Sequence, residues 1–135
     1  MRIEHIGIAV KNIDEAVQTY GRLLNTPCYK RETVEGENVE TAFFKTGESK
    51  IELLGASSPG SVIAGFINKR GEGIHHIAFE VDDIHSEMKR LEKEGFTLLN
   101  DSPRKGADNK QVVFLHPRNN HGVLIELCQP DETES

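Results

Sequence analysis

Apolar residues follow two different periods in the first part of the chain. Over residues 3–10 they alternate with other residues and are mostly β-branched, which is typical of a β-strand. Asn12 then lies three positions before Glu15, a spacing typical of a helix start that the two side chains cap. Helical spacing of the apolar residues that follow predicts an amphipathic helix. Its apolar face consists of Ile13, Ala16, Val17, Tyr20, Leu23 and Leu24.

The same order of elements occurs twice along the chain. After the first helix, the pattern predicts strands near 27–34, 38–45 and 49–54. In the second half, a strand over 75–81 leads into a second amphipathic helix that ends at Gly95. Further strands are predicted near 96–100, 110–115 and 122–128.

A sequence repeat underlies this order. The segment His5-Ile6-Gly7-Ile8-Ala9-Val10 is similar to His76-Ile77-Ala78-Phe79-Glu80-Val81, at an offset of 71 residues. The tripeptide Ile-Glu-Leu occurs at 51–53 and again at 125–127. Such self-similarity indicates two copies of one structural unit.

We therefore predict an α+β fold built from two tandem βαβββ units. The units span about 1–56 and 73–130, and a connector helix joins them at about 60–71. Each half alone is small for a stable core, so the prediction is a single domain over 1–135.

Composition restricts the classes of partner. The 135 residues carry a formal net charge of -6, which argues against nucleic acid or an anionic membrane surface as a general partner. No apolar run is long enough to span a bilayer, and the N-terminus lacks the apolar stretch of a signal peptide. Cys28 and Cys128 form no zinc-type pair, so a reduced cytoplasmic setting is expected. Residues 131–135 are predicted to be a solvated, frayed tail.

Two residue types recur at matching positions of the repeat. His5 matches His76, and Glu52 matches Glu126. A single histidine or glutamate on a strand is usually just a solvated polar residue, but the repetition favours a shared role. Two copies of a unit usually pack about an approximate two-fold axis, so matching residues near the axis approach one another. We expect the four side chains to bind one divalent ion, with Co, Ni, Mn and Zn all suited to imidazole and carboxylate ligands.

Two segments make the chain resemble the vicinal oxygen chelate superfamily and, within it, the methylmalonyl-CoA epimerases. They are Gly73–Ile84 and the region from Phe114 to Leu127 with its motif Gly-Val-Leu-Ile-Glu-Leu. The resemblance covers residues 1–129. It implies a cupped, barrel-like mixed sheet, a homodimer, and a metal ion, most often Co. The family's metal positions fall on His5, Glu52, His76 and Glu126; some members have glutamine at the position of Glu52.

The resemblance also implies an activity, the epimerisation at C2 of an acyl-CoA thioester, methylmalonyl-CoA. A catalytic carboxylate of the family falls on Glu40, whose match in the second repeat is Gln111. Epimerisation needs proton transfer on both faces of the carbon, which implies Glu40 and Glu126 as the two acid–base groups. Charge alone suggests CoA phosphate contacts for four basic residues, although a solvated surface explains them as simply: Lys69, Arg70, Arg104 and Lys105.

Other functions share the same ligand set. Glyoxalase I also has a His-Glu-His-Glu set, and the segment between Glu52 and His76 together with the motif 122–127 favours the epimerases over it. An iron dioxygenase typically uses two histidines and one carboxylate. A non-catalytic binding module of the same fold has no need of four ligands.

Overall fold

The computed structural model describes residues 1–131, and the last four residues lie outside the described part. Within it, the chain divides into two compact units. The N-terminal unit is His5–His75, and the C-terminal unit is Met1–Glu4 together with the chain from His76 onward. Their strands are β1 (Arg2–Ala9), β2 (Lys30–Val34), β3 (Val39–Thr46), β4 (Ser49–Ala56), β5 (Gly73–Glu80), β6 (Arg104–Lys105), β7 (Lys110–Leu115) and β8 (Ile125–Pro130). Their helices are α1 (Ile13–Leu24), α2 (Val62–Arg70) and α3 (Ile84–Lys93), with short 3₁₀ turns at Glu35–Glu37, Ala107–Asn109 and Pro117–Asn119.

The N-terminal unit is a four-stranded sheet with a helix on each face. Its strand order is β2-β3-β4-β1, with β1 parallel to β4 and the other neighbours antiparallel. The Asn12 side chain accepts a hydrogen bond from the Glu15 backbone N–H at the start of α1, and Asn25 ends that helix in the left-handed region. The apolar face of α1 packs on one side of the sheet, chiefly against Ala42, Phe44 and Leu53.

The other face of this sheet packs against α2. Ser61 caps the helix by accepting a hydrogen bond from the Ala64 N–H. Ile63 of α2 packs in a cluster with Ala9, Val39 and Leu54 of the strands. The connector helix expected at 60–71 is therefore observed at Val62–Arg70, and it belongs to the N-terminal unit. The extent of the single domain stays a prediction.

The C-terminal unit repeats the arrangement. Its strand order is β5-β8-β7-β6, with β5 parallel to β8 and β7 antiparallel to both β8 and β6. Asp83 caps α3, and the helix buries Ile84, Met88 and Leu91 against Val113 and other apolar residues of the sheet. The two βαβββ units predicted from the repeat are present.

One predicted strand is not formed as expected. Over 96–100 the chain makes only an isolated bridge, between Leu98 and Leu115, and the short strand β6 follows instead. The reason is a side chain: the Asn100 amide oxygen accepts a hydrogen bond from the Phe114 backbone N–H, in place of a backbone carbonyl. The backbone ladder therefore stops at this point, because the Phe114 N–H is bound to the Asn100 side chain and is not available to a strand carbonyl.

The predicted frayed tail does not begin where expected. Asp131 is buried, its backbone N–H donates to the Asn109 carbonyl, and its carboxylate accepts a hydrogen bond from the Gln111 side chain. The prediction is wrong for this residue, because hydrogen bonds to β7 and the turn before it hold the residue in place. The rest of the tail, 132–135, lies outside the described residues. In the part of the chain that the structure describes, no helix is long and apolar enough to cross a membrane.

Replacing Ile84 by alanine should destabilise the C-terminal unit strongly. Ile84 is fully buried in the cluster beneath α3, so truncation removes apolar burial and leaves a cavity. We expect a loss of about 2–5 kcal/mol in the free energy of unfolding, measured by urea denaturation. Leu99→Ala is the control, because half of that side chain is exposed and its loss should cost much less. Equal losses in the two variants would contradict this core assignment.

Acid should weaken the start of α3. The Ser86 backbone N–H and hydroxyl donate to the Asp83 carboxylate and hold its pKa below the ordinary value of 3.8. A lowered pKa means that the stabilisation is complete above the ordinary value and is lost as the pH falls through the folded-state value. Asn at position 83 keeps a cap acceptor but cannot titrate, so Asp83→Asn should lose this part of the acid dependence. Urea midpoints from about pH 7 to about pH 2 measure it; parallel curves would contradict the assignment.

Candidate functional site

A histidine and a glutamate meet on one face of the N-terminal sheet. In the parallel ladder of β1 and β4, Gly7 lies opposite Glu52 and His5 lies opposite Lys50. His5 Nε2 is 3.2 Å from Glu52 Oε1, with side-chain exposures of 7% and 5%. The missing side chain at Gly7 leaves room beside the carboxylate. This unit therefore brings two of the predicted ligands together.

The C-terminal unit contains the same pair. His76 Nε2 is 3.2 Å from Glu126 Oε1, with side-chain exposures of 4% and 7%. Ala78, another small residue, lies opposite Glu126 in the parallel ladder. The Phe114 ring meets the His76 imidazole edge to face at a centroid distance of 5.9 Å. Each unit thus contains one histidine–glutamate pair, and the convergence of all four residues on one ion stays a prediction.

The chemistry of each pair fits a divalent ion. Buried carboxylates are rare unless they are paired or bind metal, and each glutamate here has an imidazole as neighbour. Two donors with bonds of about 2.1 Å to one ion lie about 3.0–3.4 Å apart, which includes the observed separation of 3.2 Å between nitrogen and oxygen. Each pair can therefore supply two donors to one ion. The residues fit the metal that the fold family implies.

Glu40 lies on the wrong face of its sheet. It is opposite Gly55 in the β3–β4 ladder, whereas Glu52 is opposite Phe43. A Cβ at Gly55 would lie 3.2 Å from the Ile13 side chain, so this part of the ladder faces α1. Since directly opposed residues share a face and neighbours alternate, the Glu40 side chain leaves on the α1 side.

The acid–base role expected for Glu40 stays a prediction, and the face on which Glu40 lies argues against it. Its position on β3 shares a face with Ala42 and Phe44, and the His5–Glu52 pair lies on the other face. Thr41 is the residue on the side of Glu52, and it is buried with its hydroxyl donating to the Glu32 carbonyl. The alternation of side chains along β3 is the sequence signal that indicates that Glu40 and Glu52 lie on opposite faces of the sheet.

Gln111, the repeat match of Glu40, has the corresponding position in the other unit. It neighbours Val113 on the face of β7 that α3 covers, two residues along the strand. Its side chain donates to Asp131 rather than facing the His76–Glu126 pair. The sequence contrast between Glu40 and Gln111 therefore does not mark two sides of a catalytic site.

Cys128 lies on the face of Glu126, two residues along β8. The residue is fully buried, and its thiol donates to the Phe79 carbonyl. Burial raises the pKa of Cys128 strongly, and the nearby carboxylates of Glu126 and Glu4 raise it further. The thiol therefore stays protonated and packs with Ala78 and Val112 as part of the apolar floor beside the pair.

The four basic residues suggested for CoA binding are all exposed. Lys69 and Arg70 belong to the last turn of α2, where positive charge is favourable for a helix, and the Arg70 guanidinium lies 5.9 Å from the Phe66 ring centroid. Arg104 and Lys105 form the short edge strand β6. Their positions have structural explanations that require no ligand.

Comparisons with known proteins agree with this arrangement. A family model described as the Glyoxalase/Bleomycin resistance protein/Dioxygenase superfamily matches residues 4–114. The ethylmalonyl-CoA/methylmalonyl-CoA epimerase of Cereibacter sphaeroides is 38% identical over 95% of this chain and 97% of its own length. The mitochondrial methylmalonyl-CoA epimerase of Homo sapiens is 36% identical over 95% of this chain and 73% of its own length.

A solved structure extends the similarity to the fold. A variant of Streptomyces coelicolor methylmalonyl-CoA epimerase in complex with 2-nitronate-propionyl-CoA has a TM-score of 0.93 and 34% identity. It covers 100% of this chain and 98% of that one, so the predicted fold class is confirmed. The chain therefore belongs to the Glyoxalase/Bleomycin resistance protein/Dioxygenase superfamily, among relatives that include methylmalonyl-CoA epimerases.

Proposed function

We propose that this protein is an isomerase that interconverts the R and S forms of methylmalonyl-CoA by moving the proton at C2. The observation that carries the proposal is the buried histidine–glutamate pair, which occurs once in each unit with the same 3.2 Å separation. The epimerases among the relatives provide the substrate class. A complex of one methylmalonyl-CoA epimerase with methylmalonyl-CoA, 34% identical to this chain, supports the same choice.

We propose that the ion is shared by both pairs. One pair offers two donors, whereas divalent transition ions take four to six ligands, and the internal repeat makes the pairs equivalent. His5, Glu52, His76 and Glu126 would hold the ion, and a bound divalent ion would supply Lewis-acid stabilisation of negative charge on the substrate's carbonyl oxygens. Cobalt is our first choice, with Ni, Mn and Zn as the other candidates.

Proton transfer is assigned to the two buried glutamates. The C2 hydrogen is acidic, because the carbon lies between a thioester carbonyl and a carboxylate. We propose that Glu126 takes or returns this proton on one face and that Glu52, its repeat equivalent, does so on the other. Support comes from the repeat, since residues related by an approximate two-fold axis approach a bound molecule from opposite sides. Glu52 thereby replaces Glu40 in the two-carboxylate mechanism of this chain, and family members with glutamine at its position would need a different second base.

The family resemblance supports a homodimer, and the cysteine usage supports a cytoplasmic setting. We expect the protein to act as a homodimer and to work in the cytoplasm. Sedimentation equilibrium of the purified full chain tests the first, and cell fractionation tests the second.

Removing one imidazole should remove the metal. His76→Ala deletes one of the proposed nitrogen ligands, so the metal content should fall from about one ion per chain to a small fraction of that. Elemental analysis after dialysis measures it, and His121→Ala is the control because that histidine is exposed on a turn. Full metal content in the His76 variant would overturn this ligand assignment.

Replacing glutamates by glutamine should distinguish the two proposed bases, Glu52 and Glu126, from Glu40 on the α1 face. Glu126→Gln and Glu52→Gln should each lower kcat for epimerisation by about a hundredfold to ten-thousandfold, the amount that a positioned general base supplies. Each variant should also bind the ion more weakly, because it loses a carboxylate ligand. With metal restored in excess, it should still exchange the C2 proton with deuterated solvent in one epimer, because one base remains. Glu40→Gln should keep both reactions near the parental rate, since its side chain lies on the α1 face.

Two results would contradict the assignment of bases. If Glu40→Gln lowers kcat as much as Glu126→Gln does, Glu40 takes part in proton transfer. A Glu52→Gln enzyme that interconverts both epimers at the parental rate would remove Glu52 from it. Circular dichroism and metal content of every variant separate a lost base from a lost fold.

A further inference from the structure

We propose that Phe114 is a positioning residue for the buried pair of the C-terminal unit. Its ring holds the His76 imidazole in the orientation that points Nε2 at Glu126. The inference rests on the proposed function and adds to it a side chain that acts on a proposed metal ligand without binding the ion. Contacts around metal ligands commonly fix their orientation, and losing such a contact weakens metal binding.

Phe114 lies on the same face of the sheet as the pair. It is directly opposite Glu126 in the antiparallel ladder of β7 and β8, and directly opposed residues share a face. β8 lies between β7 and β5, the strand of His76. The two rings therefore meet on the face of the strand that contains Glu126, with centroids 5.9 Å apart and planes at 83°. This distance and this angle are typical of an attractive edge-to-face aromatic pair.

The backbone of Phe114 is held on the side away from β8. Its N–H donates to the Asn100 side chain at 3.2 Å, and its carbonyl accepts from the Leu99 N–H at 2.8 Å. Both backbone groups of a strand residue point to the same side. Phe114 and Glu126 therefore form the non-hydrogen-bonded kind of antiparallel pair, in which side chains approach most closely. The irregular segment around residues 98–100 thus sets the Phe114 side chain close to the pair.

An imidazole on a strand is not fixed by its own torsions. Rotation about the Cβ–Cγ bond of histidine has broad, roughly two-fold minima, so the side chain alone does not select one direction for Nε2. Ala78, the next residue of β5 on this face, offers only a methyl group. A rotation of the ring plane would move Nε2 away from Glu126 and would also end the edge-to-face contact with Phe114. The aromatic contact therefore opposes the rotations that separate the pair.

The first repeat has a phenylalanine at the matching position, in a different environment. Phe43 lies directly opposite Glu52, as Phe114 lies opposite Glu126. Phe43 is 1% exposed and packs near the Tyr29 ring at 6.2 Å, whereas Phe114 is half-buried. A ring beside the carboxylate thus recurs in both units, as the proposed ligands do. The greater exposure of Phe114 makes it the position at which a ring can be changed with less cost to the core.

The affinity for Co²⁺, measured by competition with a chelator, tests the inference. Phe114→Leu keeps an apolar side chain but removes the ring, so the dissociation constant should rise about two- to tenfold, the factor that one aromatic pair supplies. Phe114→Tyr keeps the ring at a half-buried position, so its affinity should stay parental. Phe79→Leu is the matched control, because it makes the same change at a half-buried position of the same unit, in the cluster beneath α3.

A second measurement uses the same proteins without metal. In the parental chain, nuclear Overhauser contacts should join the ring protons of His76 to the side chain of Glu126, because the two groups are 3.2 Å apart. These contacts should weaken in Phe114→Leu and persist in Phe114→Tyr and Phe79→Leu. Urea denaturation of every variant separates a turned imidazole from a weakened fold.

The outcomes distinguish this inference from the proposed function. If the parental protein binds Co²⁺ but does not interconvert the epimers of methylmalonyl-CoA, the proposed function fails, and the metal affinities still decide the inference. If the parental protein binds no Co²⁺, the Overhauser contacts decide it. Parental affinity and parental contacts in Phe114→Leu would overturn the inference. An equal loss in Phe79→Leu or in Phe114→Tyr would also overturn it, because the cause would then not be the ring beside His76.

Discussion

The desolvation of two carboxylates is the constraint on which the rest of the molecule depends. Glu52 and Glu126 are almost completely buried, and an isolated buried charge costs several kcal/mol. Each is offset by an imidazole at 3.2 Å, and both members of each pair come from neighbouring parallel strands. A shift of one residue in either ladder would turn one partner to the opposite face. The register of β1 with β4, and of β5 with β8, is therefore tied to the chemistry as well as to the core.

The two faces of each sheet have accordingly different compositions. One face is apolar and packs beneath an amphipathic helix, with Phe44 and Leu53 in one unit and Val113 and Leu127 in the other. The opposite face has small residues beside the carboxylates. Gly7 and Ala78 occupy matching positions, directly opposite Glu52 and Glu126. Alternation along a strand thus separates stability from function within a few residues.

Much of the fold was predictable, because the periodicity within each segment and the repeat between the two halves can both be read from the sequence. The three helices, the two units and the two histidines and two glutamates at matching positions follow from spacing and from the repeat, whereas the pairing of histidine with glutamate within each unit is seen only in the structure. The missing strand near 98 was not predictable, since it depends on a hydrogen bond from Phe114 to the Asn100 side chain. For Glu40 the two sequence signals disagree: the family resemblance implies a place in the site, whereas strand alternation puts the side chain on the α1 face.

The first strand is divided between the two compact units, so the units do not coincide with the two sequence repeats. Met1–Glu4 belongs to the C-terminal unit and His5–Ala9 to the N-terminal one, although all of them belong to the first sequence repeat. Arg2 forms an ion pair with Glu80 at 3.3 Å, and Glu4 is buried in the unit that the second repeat builds. A half cut out at the repeat boundary would thus lack a piece of its own structure.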